Sequence, residues 1–166
     1  MINSSSPVDW SNSSILITGG TGSFGQRFVQ RAIEKYNPSR IAVLSRDELK
    51  QSEMKRRFPE EGDSPIRYFL GDVRDYDRLR RAFRDVDIVI HAAALKQVPA
   101  AEADPFEAVM TNIMGAKNVI DAAIDTGVSR VLALSTDKAV GPANLYGGTK
   151  FVAEKLFVQG NAYSTA

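Results

Sequence analysis

Ser14-Ile-Leu-Ile-Thr-Gly-Gly-Thr-Gly-Ser-Phe-Gly25 decides how this chain reads. Its first five residues are an apolar, β-branched run that stops at glycines, which predicts a buried strand. Gly20, Gly22 and Gly25 then set the pattern G-x-G-x-x-G, and Gly19, Gly22 and Gly25 set G-x-x-G-x-x-G. A helical pattern follows from Ser23 to Tyr36, with Phe24, Phe28, Val29, Ala32 and Ile33 on one side and Asn37-Pro38 closing it. Glycines between strand and helix permit a tight turn, a close approach of backbone to a pyrophosphate, and close helix–strand packing. The first N–H groups of the helix then face the phosphates. Strand, loop and helix in this order are the context in which the pattern means a dinucleotide-binding loop. Gly19, Thr21, Gly22, Ser23, Phe24 and Gly25 are its expected cofactor contacts.

Outward from this loop the chain alternates. Further strands are predicted at Arg40–Leu44, Ile66–Leu70, Asp87–His91 and Arg130–Leu134. Helices are predicted at Asp47–Phe58, Asp75–Arg84, Pro105–Thr126 and Leu145–Val158. The strands are continuous apolar runs, as in a sheet covered on both faces. Alternation of this kind predicts right-handed βαβ units, hence a doubly wound parallel α/β sheet of Rossmann type with order 3-2-1-4-5. No repeat at solenoid periods is present.

The 166 residues predict one domain at about 150 residues each. The net charge of +1 argues against a charge-driven attraction to nucleic acid or membrane. No cysteine is present, which excludes a disulfide framework, a thiolate zinc site and a cysteine nucleophile. His91 is the one histidine, so a multi-histidine metal site is excluded and no metal is expected. No stretch reaches the roughly 18 apolar residues of a membrane span. Residues 1–13 are polar and read as a flexible arm, residues 14–166 as the dinucleotide-binding domain. A cytoplasmic location is expected.

The second strand ends Ser45-Arg46-Asp47, with Lys50 one turn on. A hydroxyl, a guanidinium and an ammonium suit a ribose 2′-phosphate, so NADP is the expected cofactor. Asp47 leaves the other choice open, because a carboxylate there serves a 2′-hydroxyl. The same cations also read as a solvated helix face. Asp72-Val73, after the third strand, is placed to meet the adenine ring. Ala92, Ala93 and Ala94, after the fourth, let a cofactor approach the backbone. His91 reads as a structural strand-end residue.

The fifth strand ends Ser135-Thr136-Asp137-Lys138, and Tyr146-Gly-Gly-Thr-Lys150 follows. Y-x-x-x-K on a helix puts both side chains on one face. An ammonium beside a phenol stabilises phenolate and draws the tyrosine toward a working pKa. A Thr136 hydroxyl would steady the same oxygen. This is an acid/base group for interconverting a carbinol and a carbonyl beside a nicotinamide.

T-G-x-x-G-x-x-G with a later Y-x-x-x-K resembles the extended short-chain dehydrogenase/reductase superfamily. S-R-D-E-L-K-Q, G-D-V-R-D, H-A-A-A-L-K-Q-V-P, E-A-V-M-T-N-I-M-G-A-K-N-V-I-D-A and L-S-T-D-K-A-V-G-P-A-N-L-Y-G-G-T-K more closely resemble the inverting UDP-N-acetylglucosamine 4,6-dehydratases. Those start pseudaminic acid and related bacterial glycan pathways. The resemblance covers Ser14 to Val158. It implies that Tyr146 takes the proton of the sugar 4-hydroxyl while hydride passes to NADP. It implies Lys138 as the base at carbon 5 and Asp137 as the acid that releases the 6-hydroxyl as water. Hydride then returns to carbon 6, and carbon 5 is reprotonated on the opposite face. Thr136 and Lys150 support the tyrosine, Tyr146 and Lys150 also touch the cofactor, and Lys96, Thr136 and Tyr146 meet the substrate. A lysine base must be neutral, which asks for desolvation or nearby positive charge.

Members of that family are longer, so this chain is expected to be a fragment. It would lack the last strands of the sheet and most of the sugar pocket, and be inactive alone. The full-length protein is expected to be a homo-oligomer. Two other readings stay open: an NADP-dependent nucleotide-sugar epimerase or reductase, and a catalytically incomplete dinucleotide-binding module.

Overall fold

The computed structural model describes residues 8–163. Five strands form one parallel sheet: β1 Ser14–Thr18, β2 Arg40–Ser45, β3 Ile66–Leu70, β4 Ile88–His91 and β5 Arg130–Ala133. Their order is β3-β2-β1-β4-β5, as the alternation predicts. The register sets Thr18 beside Leu44 on one side and beside His91 on the other. All carboxyl ends therefore open on one edge of the sheet, where such folds bind ligands.

Alternate residues of each strand point to opposite faces, and both faces are apolar. Ile15, Ile17, Ile41, Val43, Ile88 and Ile90 pack on one side with Val29, Ala32 and Met54. The last three belong to α1 (Ser23–Tyr36) and α2 (Glu48–Arg57). Leu16, Leu44 and Val89 pack on the other with Leu79, Phe83, Val119 and Ala122. Leu79 belongs to α3 (Tyr76–Ala82), and Val119 and Ala122 to α6 (Gly115–Thr126). This two-sided core is why the strands read as continuous apolar runs.

Three differences from the sequence expectation have physical causes. Residues 8–13, expected in a loose arm, fold onto the domain. Val8 and Trp10 pack against the α1 side, and the Trp10 ring lies 5.3 Å from that of Tyr36. The Asp9 carboxylate accepts from Ser11 Oγ and Asn12 Nδ2, both at 2.7 Å, closing a turn. Residues 1–7 lie outside the described part. Next, a six-residue helix α4 (Val98–Ala103) precedes the expected long helix. It is too short for periodicity to reveal. Finally, the long helix is divided: α5 (Pro105–Val109), a π turn at Met110–Met114, then α6. The wider turn keeps Thr111 and Asn112 both buried.

The helix α7 (Leu145–Gly160) starts at an Asn144 cap whose side chain accepts from Gly147 N. β5 forms one border of the sheet among the described residues, with Val131 37% and Leu132 54% exposed. No described helix is long and apolar enough to cross a membrane.

Candidate active site

The strand ends enclose a cleft of about 280 Å³. Gly19, Thr21 and Gly22 form one wall, Ser45, Arg46 and Lys50 the second, Asp72 and Val73 the third, and Ala92, Ala93 and Ala94 the floor. Gly19 has φ +65°, and a Cβ there would stand 2.8 Å from the Ala93 backbone. The glycine loop and the alanine run are thus two halves of one close approach. Ser23 and Phe24 are exposed on the first turn of α1, Phe24 against Phe28, and Gly25 is buried under the loop beside the Gly20 carbonyl. These three do not line the cleft. Lys96, expected at the substrate, lines this same cleft.

The rim is charge-balanced. Arg46 reaches Asp72 at 3.6 Å, and Lys50 reaches Asp47 at 3.2 Å. Asp47 is the α2 N-cap, accepting from Lys50 N at 3.0 Å, and that bond lowers its pKa. Its carboxylate is therefore occupied by the helix and by Lys50. Partial burial pushes the Asp72 carboxyl up, but the Arg74 guanidinium, at 2.8 Å, outweighs it and holds the group ionised. Ser45 differs from expectation: its hydroxyl is buried, shared with Thr21 Oγ1 at 2.8 Å and accepting from Asp47 N at 3.2 Å. It shapes the rim rather than presenting a free donor.

Two buried residues of the π turn were not anticipated. Thr111, from the π turn, is 5% exposed and lines the cleft. Its Oγ1 is buried without a hydrogen-bond partner. A native hydroxyl left so is costly unless a ligand completes it. Its neighbour Asn112 accepts from Leu95 N at 2.8 Å and donates to Leu95 O at 2.9 Å and Thr149 Oγ1 at 3.0 Å. That ties the loop after β4 to α7. The signal in the sequence was a Thr-Asn pair inside an otherwise apolar helix face.

The residues expected to carry the acid/base chemistry form a second group, beside β5. Lys150 is 5% exposed and its ammonium donates to the Leu134 carbonyl at 2.7 Å. Burial lowers its pKa, and the charge of Glu154 opposes that. Thr136 caps a 3-10 turn at Asp137–Ala139 by accepting from Lys138 N at 3.3 Å, and its hydroxyl donates to Asp137 at 3.0 Å. The Thr136 bond, then the Lys138 charge, lower the pKa of Asp137. Lys138 Nζ lies 3.5 Å from Asp137, both side chains in contact with solvent. A Cβ on Gly147 would collide with the Lys138 carbonyl, so the glycine lets this turn press against α7 next to Tyr146. His91 is buried against Phe157 and bonded to Thr18 Oγ1 at 2.8 Å. Burial takes its pKa down to about 3. It is a neutral structural residue, as expected.

Among the described residues no cluster of three or more His, Asp or Glu is placed to hold a metal.

Known proteins share this architecture. The chain is 57% identical over 147 residues to UDP-N-acetylglucosamine 4,6-dehydratase (inverting) of Campylobacter jejuni, covering 89% of this chain and 43% of that protein. It is 46% identical to UDP-glucose 4-epimerase of Rickettsia canadensis, over 87% of this chain and 42% of that one. The solved structure of Pen from Bacillus thuringiensis superposes with a TM-score of 0.88 at 39% identity, over 93% of this chain and 47% of that. The dTDP-glucose 4,6-dehydratase DesIV of Streptomyces venezuelae, solved with NAD bound, gives a TM-score of 0.78 at 26% identity, over 90% of this chain and 52% of that. The chain therefore spans about half the length of the relatives it matches. The family model for polysaccharide biosynthesis proteins matches residues 15–166, and the chain belongs to that family.

Proposed function

We propose that this chain is the dinucleotide-binding and acid/base part of an NADP-dependent, inverting UDP-N-acetylglucosamine 4,6-dehydratase. The observation that carries the reading is the packing of the Asp137–Lys138 turn, through Gly147, onto the helix that bears Tyr146 and Lys150. One base serves the 4-hydroxyl; a separate acid and base serve the loss of water.

The cleft fits the cofactor: a glycine wall, two rim cations and the unpartnered Thr111 hydroxyl all face one space. A nicotinamide held there by the glycine wall and the rim would supply a reversible hydride acceptor for the sugar. Arg46 and Lys50 give the rim its preference for a 2′-phosphate. Tyr146 accepts the 4-hydroxyl proton, with Lys150 one helical turn away on the same face. Asp137 and Lys138 rest as an ion pair. The working acid and base are the same pair after one proton moves from ammonium to carboxylate. A sugar that covers them removes water from both charges and favours that neutral form. Net charge is unchanged by the transfer. The product would enter pseudaminic-acid-type glycan synthesis, made by a cytoplasmic homo-oligomer.

A second reading, a 4-epimerase, is favoured by the Rickettsia relative. It leaves Asp137 and Lys138 without a task, since epimerisation releases no water. Proton NMR of the full-length enzyme with NADP⁺ and UDP-N-acetylglucosamine in D₂O separates the two. A new 6-deoxy methyl signal with deuterium at carbon 5 supports dehydration. An epimerised sugar without a methyl signal overturns it.

A further inference from the structure

Glu154 follows Lys150 by one helical turn and Tyr146 by two, so the three share one face of α7. The chemistry above uses only the first two. Opposite that face lies the end of β5. Lys150 Nζ donates to the Leu134 carbonyl at 2.7 Å, and Ser135 Oγ donates to the Glu154 carboxylate. Consecutive residues of the strand end are held by successive turns of one helix. One such bond fixes a separation; two also fix an orientation. Thr136, Asp137 and Lys138 hang directly from this clamp.

We propose that Glu154 is a positioning residue of the reactive group: it keeps Lys150 charged and, through Ser135, sets where the 136–138 turn stands against Tyr146. The proposal rests on the reading of Tyr146 and Lys150 as an acid/base pair.

The charges around Lys150 support it. The nearly complete burial of this ammonium favours the neutral amine, which would no longer stabilise a phenolate. From β4 it meets His91, neutral at ordinary pH. From β5 it meets the Leu134 carbonyl, a dipole without net charge. On the 3-10 turn, Asp137 is engaged by Thr136 and by Lys138, itself a cation. On α7 stand Tyr146 and Glu154, and Glu154 is the anion that holds the proton on Lys150. Glu154 lines a groove with Ile120, Phe157 and Val158, and with Arg130, a cation that does not titrate in the working range.

The test is a pH titration of ¹⁵N-labelled lysine side chains in the protein and in Glu154→Gln, Glu154→Asp and Ser135→Ala, with Lys150→Arg identifying the signal. Glu154→Gln is expected to lower the Lys150 midpoint by about half a unit or more, and Glu154→Asp to restore most of it. Ser135→Ala is expected to leave that midpoint in place but raise exchange of the bonded amides of the turn, at residues 138–140, about tenfold. An unchanged midpoint in Glu154→Gln, or unchanged exchange in Ser135→Ala, overturns the proposal. The titration needs no turnover. If the full-length enzyme gives no water loss in the NMR assay, the dehydratase reading falls, while the midpoint still decides the role of Glu154.

Discussion

Lys138 and Gly147 meet backbone to backbone: the Lys138 carbonyl occupies the space that any side chain at position 147 would need. The contact brings the Asp137–Lys138 turn and the Tyr146 helix into one site, and it allows no other residue type at that position. Gly147→Ala should therefore displace the turn, cost about 1–3 kcal/mol of stability as an overpacked contact, and lower turnover at least tenfold. Gly148, one residue on, has nothing within 4 Å of a Cβ. Gly148→Ala should be neutral or add about 0.5–1 kcal/mol by helix propensity. Thermal unfolding and turnover of the two neighbours provide the comparison.

Thr111→Val should leave folding stability unchanged or slightly higher, because the hydroxyl it removes is buried without a partner. Dinucleotide affinity should fall about five- to tenfold, the worth of one neutral hydrogen bond. Calorimetric binding beside chemical denaturation measures both. Equal affinity in the variant would remove Thr111 from the cofactor site.

Asn112→Ala should be among the most damaging changes outside the apolar core. It leaves Leu95 N–H and C=O without their partner, while the Thr149 hydroxyl loses one donor and keeps its bond to the Tyr146 carbonyl. A loss of about 2–4 kcal/mol is expected from groups buried unsatisfied. Urea denaturation reads it directly.

Arg46→Ala should weaken NADP⁺ binding about tenfold while changing NAD⁺ binding less than about twofold, since a guanidinium's gain is with the extra phosphate. In the same variant Asp72 keeps its Arg74 partner, so the fold should hold. Equal losses for both cofactors would point to NAD as the native one.

His91 sets an acid limit on stability. Its native pKa of about 3 lies below the ordinary 6.5, so between these values the unfolded chain binds a proton that the native chain does not. Stability is thus full above the unfolded value and falls as pH drops, approaching about 1.4 kcal/mol per unit at full slope. Denaturation at pH 7, 5.5 and 4.5 should show that fall. His91→Asn, though less stable at pH 7, should show a shallower one.

The fold was legible from particular residues. Ser14 to Gly25 carried strand, turn and helix start in one stretch, and five apolar runs fixed the layered sheet and its order, because local patterning and crossover handedness leave few alternatives. Tyr146 and Lys150 were legible because helical spacing alone puts them on one face. Tertiary structure decided what sequence spacing does not encode. It gave Asp47 to the α2 N-terminus and the Ser45 hydroxyl to Thr21. It turned Thr111 into the cleft through a π turn that no periodicity announces, and joined Ser135 to Glu154 across 19 residues. It also packed Trp10 on Tyr36, where composition suggested a loose arm. The physical reason is common to all: periodicity reports which face of an element is buried, while the partner that satisfies a polar group is chosen by whichever distant residue the fold brings within hydrogen-bond reach.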